Sequence, residues 1–276
     1  PESLLSKFKS PEAGYFNVGL LHTSLSGSSQ HDPYAPCSVA DLEGHGFDYW
    51  ALGHIHVRSV HSTSPYVVMP GIPQGRDIGE RGRKSVTLVN FDGQTITIEE
   101  RQTSSVEFQQ IEISLNKVKE FRDALEIIEL ALSNIIDERS KYKIIRIELV
   151  GSTSLTWKIR RDFDLFSEQV AGIAQTIGSI WIDKIVNKLE PLSSGVGSDD
   201  AQSELINSMD ELLENENFIL RAEEDIKEII SELPPEVRYL FGGDESELSG
   251  AVKGFLAEGI KEISARILSG ERETSA

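Results

Sequence analysis

Apolar residues at Val118, Phe121, Leu125, Ile128, Leu132 and Ile135 step by 3, 4, 3, 4 and 3. That spacing lines one face of an α-helix. A second run, Leu155, Ile159, Phe163, Phe166, Val170, Ile173 and Ile177, steps by 4, 4, 3, 4, 3 and 4, and predicts a second amphipathic helix. Between them residues 142–150 alternate and are rich in β-branched side chains, with Ile145, Ile147 and Leu149 on one face of a strand. Residues 106–113 and 180–186 read as flanking strands. The order β-α-β-α-β over 107–190 predicts a small α+β layer.

The rhythm on either side is different. Upstream, residues 1–106 carry short apolar runs that read as strands, 18–21 and 49–52 first, then 66–69, 85–91 and 95–99. Asp92-Gly93 is a hairpin turn between the last two. Ser38 opens a capping-box-like start for a short helix that ends near Gly44 to Gly46. Downstream, residues 191–198 are a linker by composition, and Ser198 is a good N-cap for the helix after it. Three or four helices then run to about Leu268, broken at Pro234-Pro235 and Gly242-Gly243. In the last of them Leu248, Val252, Phe255, Ile263 and Ile267 are placed on one face. The fold class expected is therefore α/β and α+β, with a strand-rich region at 1–106, a layer at 107–190 and a helical region at 199–276.

Charge separates the same regions. The chain has 276 residues and a formal net charge of −18. Residues 1–110 hold 8 Lys/Arg against 12 Asp/Glu, 111–190 hold 12 against 13, and 191–276 hold 7 against 20. An acidic surface repels the phosphate backbone, so the last third is a poor surface for DNA. Its apolar stripes suit a local core or a protein partner. The single cysteine, Cys37, excludes an internal disulfide and favours a reducing compartment, hence a cytoplasmic location. No apolar stretch approaches the roughly 18 residues that a membrane span needs.

All six histidines lie between residues 22 and 61. Two phrases stand out, Gly-Leu-Leu-His ending at His22 and Gly-His-Ile-His ending at His56, each after an apolar strand. Neutral imidazoles at the exits of adjacent strands can converge on a transition metal. A lone His-x-His is weak, and hydrogen-bonded core histidines are the rival reading; the paired phrases favour ligands. His31 and Tyr34 fall in the loop between them and suit either a cleft or a turn. His45 and His61 read as surface residues. Cys37 precedes a helix start, which could lower its pKa, although no base accompanies it. Arg76, Arg81, Arg83 and Lys84 are the basic residues near the motif, with Lys158, Arg160 and Arg161 a weaker DNA-contact set.

The string Phe16-Asn17-Val18-Gly19-Leu20-Leu21-His22-Thr23-Ser24-Leu25, then His31-Asp32-Pro33-Tyr34-Ala35-Pro36-Cys37, then Asp48-Tyr49-Trp50-Ala51-Leu52-Gly53-His54-Ile55-His56, resembles the DNA-repair exonucleases of the SbcD/YhaO type. These belong to the calcineurin-like metallophosphoesterase superfamily. Met69-Pro70-Gly71-Ile72-Pro73-Gln74-Gly75-Arg76 continues the match. The resemblance is sharp over residues 14–90. It implies the C-terminal part of a phosphoesterase β-sandwich at 1–106, a capping domain at 107–190 and helices beyond that bind an SMC-like or AAA ATPase subunit. It implies two divalent metal ions, Mn²⁺ with Fe or Zn also open, with His22 and His54 on one and His56 on the other. Arg76 would contact substrate phosphate, with a structural salt bridge as the alternative. A homodimer is compatible with it.

Asp-x-His, Gly-Asp and Gly-Asn-His motifs precede this strand in the family, and none occurs here. The chain opens Pro1-Glu2-Ser3 without an initiator Met. The expectation is therefore the C-terminal part of a longer DNA exonuclease, inactive by itself. Two alternatives stay open: a non-catalytic capping or scaffold module that binds DNA and the ATPase, and another calcineurin-like phosphoesterase.

Overall fold

The computed structural model describes residues 2–25, 34–136, 141–192, 201–238, 241 and 245–269. It is a mixed α/β chain, with nine β-strands and eight α-helices among the described residues. The chain divides into two compact units. One comprises residues 1–110, 136–146 and 178–183; the other comprises 111–135, 147–177 and 184–276.

The first unit is built on a four-stranded sheet in the order β1-β2-β4-β3, formed by β1 (Val18–His22), β2 (Tyr49–Gly53), β3 (Ser59–Thr63) and β4 (Tyr66–Met69). β1, β2 and β4 are parallel, and β3 returns antiparallel to β4. Strand β3 has no strong hydrophobic alternation, and the sequence pattern does not predict it. Leu21, Leu42, Trp50, Leu52, Val67 and Met69 form the core beneath the sheet, with Cys37 among them. Trp50 is fully buried, donates its indole N–H to the Leu42 carbonyl at 3.0 Å, and is flanked by Phe8 and Phe47 with ring centroids at 5.2 and 5.0 Å. The indole face lies against β1 at Gly19. A Cβ there would stand 2.2 Å from Trp50 Cε3, so only glycine permits this approach.

Helix α1 (Val39–Gly44) starts at the capping box read from sequence: Asp41 N–H donates to Ser38 Oγ at 3.1 Å and Ser38 N–H to Asp41 Oδ2 at 2.8 Å. The hairpin of β5 (Ser85–Phe91) and β6 (Ile96–Gln102) turns at Asp92, whose Oδ1 accepts from the Gln94 and Thr95 N–H groups. Thr95, expected in the strand, is thereby held in the turn.

β7 (Val106–Ser114), β8 (Tyr142–Ser152) and β9 (Ile180–Glu190) form a three-stranded sheet in that order. Glu107 and Lys143 meet at 3.1 Å in its first-unit portion, both buried, and Gln109 donates to the second Glu107 oxygen at 2.8 Å. In the second unit α2 (Phe121–Asn134) packs against α4 (Phe163–Ile177), with Phe121 and Phe166 edge to face at 5.4 Å. The apolar period predicts one continuous helix from Leu155 to Ile177. The structure instead has α3 (Thr156–Arg161), then a break, then α4. Asp162 leaves helical geometry at ψ 33°, its carboxylate paired with Arg161 at 2.7 Å. A short acidic side chain that can bond locally competes with helix continuation at that point. β9 also runs on to Glu190, beyond the expected end at Val186.

The helical region comprises α5 (Ala201–Leu212), α6 (Glu216–Glu232), α7 (Pro235–Arg238) and α8 (Glu245–Ser269). α8 packs with α3, α5 and α6. Its buried residues are Val252, Ile260, Ser264 and Ala265, whereas Phe255 and Ile263 are about half exposed. Of the expected stripe Val252 packs inward and Leu248 and Ile267 are half-buried, whereas Phe255 and Ile263 turn outward; Ile260, Ser264 and Ala265 complete the buried face. Residues 193–198 of the expected linker, Ser198 among them, and the Gly242-Gly243 break fall outside the described residues. None of the described helices is long and apolar enough to cross a membrane.

These packing arrangements set two stability outcomes. Gly19→Ala forces a Cβ into the Trp50 ring, and urea unfolding should show a loss of at least about 1–3 kcal/mol, the cost of an overpacked core; a variant within about 0.5 kcal/mol of the parent would contradict the close approach. Glu107→Ala takes the carboxylate away from the buried Lys143 ammonium and should cost about 3–5 kcal/mol, while Glu107→Met with Lys143→Met recovers most of it. Equal losses in the single and double variants would mean that the ion pair is not what the buried carboxylate serves.

Candidate metal centre

Two parallel strands bring the histidines together. The β1–β2 register sets His22 opposite Gly53, the last residue of β2, and the Thr23 N–H donates to the Gly53 carbonyl at 3.1 Å. The next residue, His54, has φ +111°, a backbone conformation that costs energy for any side chain bearing a Cβ. His54 Nδ1 then lies 3.3 Å from His22 Nε2, with the rings 5.1 Å apart and 73° to one another. Tyr34 completes the group, its ring edge-on to His22 at 5.2 Å and nearly parallel to His54 at 6.3 Å. Its segment is tied to the end of β1 by Ser24, whose N–H donates to the Tyr34 carbonyl at 2.8 Å and whose hydroxyl accepts from the Tyr34 N–H at 2.9 Å. Buried Thr23 adds a 2.8 Å bond to the Ala35 carbonyl.

His56 is held separately. Its Nδ1 is 2.6 Å from Glu80 Oε1. The same carboxylate accepts from the Arg76 backbone N–H at 2.8 Å, from Arg76 Nε at 3.2 Å and from Arg76 Nη2 at 2.6 Å. Those donors, Arg76 first and His56 after it, hold the Glu80 carboxyl down at about 2, so it is an anion throughout the neutral range. Glu80 closes a single 3₁₀ turn, Ile78–Glu80, capped by Asp77 Oδ1 on the Gly79 N–H. Gly71 presses the other side of the segment: at φ +76°, a Cβ there would sit 3.0 Å from the Arg58 nitrogen and 3.1 Å from the His56 carbonyl. Gln74, three residues on, staples this stretch to the start of β7. Its amide donates to the Val106 carbonyl at 2.9 Å and accepts from the Ser105 N–H at 2.9 Å.

The sequence motif thus places His22 and His54 in one group and His56 in a neighbouring one, and it places Arg76 beside His56, with Nη2 at 3.4 Å from Nδ1. His31 lies outside the described residues. His45, read as a surface residue, is half-buried among Phe8, Phe47 and Trp50, with Nε2 at 3.2 Å from the Lys9 carbonyl. His61 is exposed and bonds Ser59 at 2.8 Å. Cys37 departs from expectation: burial pushes its thiol pKa up, outweighing the bond with Thr23, and the protonated thiol packs in the core.

The basic residues near the motif are largely engaged within the fold. Arg81 donates to Gln110 at 3.0 Å, Arg83 reaches Glu107 at 3.6 Å, and Lys84 is buried with Nζ on the Arg81 carbonyl at 3.0 Å. Lys158 lies over the Phe121 ring at 5.4 Å, and Arg161 pairs with Asp162. Glu80 is a member of the site that sequence reasoning misses, because there it reads only as an acid diluting a basic cluster. Its i, i+4 spacing from Arg76 is the available signal.

The donor chemistry of His22 and His54 fits a transition-metal ion, since neutral imidazole is a favoured ligand and the two rings converge. Among the described residues no group of three or more His, Cys, Asp or Glu converges to hold an ion. A two-ion centre would need ligands in addition to these.

Comparison with known proteins agrees with the motif. Residues 108–190 match the family described as the middle domain of metallophosphoesterase YhaO. An uncharacterized metallophosphoesterase YhaO of Bacillus subtilis (strain 168) is 34% identical over 152 residues, 55% of this chain and 37% of that protein. The matched segment spans well under half the length of this curated relative. Both matches are to metallophosphoesterases, and each covers only part of the chain.

Proposed function

We propose that this chain is part of a metal-dependent phosphoesterase that cleaves phosphodiester bonds at DNA ends. The observation that carries the reading is the convergence of His22 and His54 at the exits of two parallel strands, with His56 oriented alongside by Glu80. The metallophosphoesterase matches support the phosphoester chemistry. The DNA substrate rests on the resemblance of residues 14–90 to the repair exonucleases. In this reading the four-stranded sheet belongs to a phosphoesterase β-sandwich, and residues 107–190 correspond to the family's capping domain.

His22 and His54 would hold one divalent ion and His56 a second, with Mn²⁺ the ion of choice for mixed imidazole and carboxylate ligands. The bound ions would supply Lewis acidity and a water-derived nucleophile for phosphodiester hydrolysis. The chain's own residues do the remaining work. Tyr34 shields one flank of the imidazole pair. Glu80 holds Arg76 against His56, so that the exposed guanidinium is set to meet a phosphate oxygen beside the site. Residues 199–276 would engage an ATPase subunit of the SMC-like class: their surface is acidic, which disfavours DNA, and they leave Leu220, Ile229, Phe255 and Ile263 about half exposed or more.

The complete protein, incubated with linear duplex DNA and Mn²⁺, should release nucleotides from the ends. His54→Ala and His56→Ala should each lower that rate at least about a hundredfold, as loss of a ligand does where metal binding assembles the site. The 276-residue chain alone should show no His54-dependent nuclease activity. Hydrolysis of mononucleotides or phosphoproteins in place of DNA would favour another phosphoesterase of the superfamily.

The tail is tested by recovery of the cognate ATPase on immobilised complete protein and on a version ending at Glu190. Recovery should fall at least about tenfold without the tail, the loss of a cooperating contact. Equal recovery would refute the docking role, and salt-sensitive DNA binding that depends on the tail would refute the charge argument.

A further inference from the structure

We infer that Glu80 is a positioning residue that fixes the His56 imidazole in one tautomer and presents its Nε2 as the ligand atom. The inference rests on the metal reading of His56 given above. A neutral imidazole carries one proton, and the hydrogen bond made by one nitrogen decides which nitrogen keeps a lone pair. At 2.6 Å from a carboxylate oxygen, Nδ1 must be the donor, because Glu80 offers only acceptors. Nε2 is left with its lone pair and points away from the carboxylate. Arg76 Nη2, at 3.4 Å from Nδ1, is itself only a donor and cannot take the Nδ1 proton.

What distinguishes this from an ordinary surface ion pair is how firmly the acceptor is held. The Glu80 side chain is only 12% exposed, although its partners His56 and Arg76 are 43% and 69% exposed. It is fixed by a backbone N–H and two guanidinium nitrogens of Arg76, and it terminates a capped 3₁₀ turn. On the opposite side the chain at Gly71 passes so close that a Cβ there would sit 3.1 Å from the His56 carbonyl. A ring held at Nδ1 by a fixed carboxylate has one direction left for Nε2. Carboxylate partners of this kind set the orientation and basicity of metal-ligating imidazoles in general.

The test reads nitrogen-15 shifts of the histidine rings in this chain at about pH 8. In the parent, His56 should carry its proton on Nδ1. In Glu80→Ala it should move to Nε2, the form an unconstrained ring prefers, while Glu80→Gln, whose amide oxygen still accepts, should keep it on Nδ1. His61, bonded to Ser59 through Nε2, serves as the internal reference and should not change. Added Zn²⁺ should perturb His56 at Nε2, with a midpoint about tenfold higher in Glu80→Ala, the usual effect of losing such a partner. A parent ring protonated on Nε2, an unchanged tautomer in Glu80→Ala, or equal Zn²⁺ midpoints would overturn the assignment. If the tautomer and Zn²⁺ results hold while the complete protein has no Mn²⁺-dependent nuclease activity, Glu80 keeps its role and the nuclease reading falls.

Discussion

The contact between the Gly19 backbone and the Trp50 indole is the constraint on which the rest of the first unit depends. It brings β1 onto the buried ring and so fixes the parallel pairing of β1 with β2. That pairing has a register, and a slip of one residue would turn every side chain of β1 to the opposite face. His22 lies opposite Gly53 only in this register. From there one unusual backbone angle, at His54, is enough to bring the second ring within 3.3 Å of the first. The strain at His54 is sustained because both flanks are over-determined. Buried Leu52 holds one side, and the segment running to His56 is clasped by Gly71 and Glu80 on the other.

Electrostatics in the same unit follow an economical pattern. Two carboxylates, Glu80 and Glu107, gather most of the nearby cations. Glu107 takes Lys143 and Arg83 in the interior, where an unpaired charge would be strongly destabilising. Glu80 takes Arg76 at the surface, where a simple ion pair would add little. Its value lies in geometry: one rigid anion aligns an imidazole and a guanidinium side by side. A site that must meet a phosphate gains more from two oriented groups than from a diffuse basic patch, since long lysines and arginines left free would each lose rotamer entropy on binding.

Much of this is legible in the chain, and the exceptions share a cause. The strand that ends at His22, the strand that ends just before His54, the capping box at Ser38, the Asp92 turn and the helix over Phe121 to Asn134 are written in local pattern, and local pattern is what sequence exposes. The break at Asp162 is hidden because the apolar period runs straight through it; only the preference of an aspartate for local bonding marks the site. The buried face of α8 is read only in part, for a related reason. Size is the signal for burial that a sequence offers, and it finds Val252, yet tight packing with α3, α5 and α6 also selects Ser264 and Ala265 for fit. Glu80 escapes notice because its role is a tertiary one. Nothing around residue 80 announces a partner 24 positions upstream.

The inversion on α8 has a consequence for how the acidic tail is to be understood. A helix whose only task was to complete a local core would turn its largest apolar side chains inward. Here Val252 and Ile260 face in beside small residues, while Phe255 and Ile263 remain about half exposed, as do Leu220 and Ile229 on α6 or more so. Apolar side chains exposed singly are ordinary; several of them on two helices that pack together are less so. The surrounding charge is strongly negative, which disfavours contact with the like-charged backbone of nucleic acid. Val252 and Ile260 thus pack inside with small residues, and Phe255 and Ile263 are left outside. That division within one helix is the observation on which the proposed docking role of residues 199–276 rests.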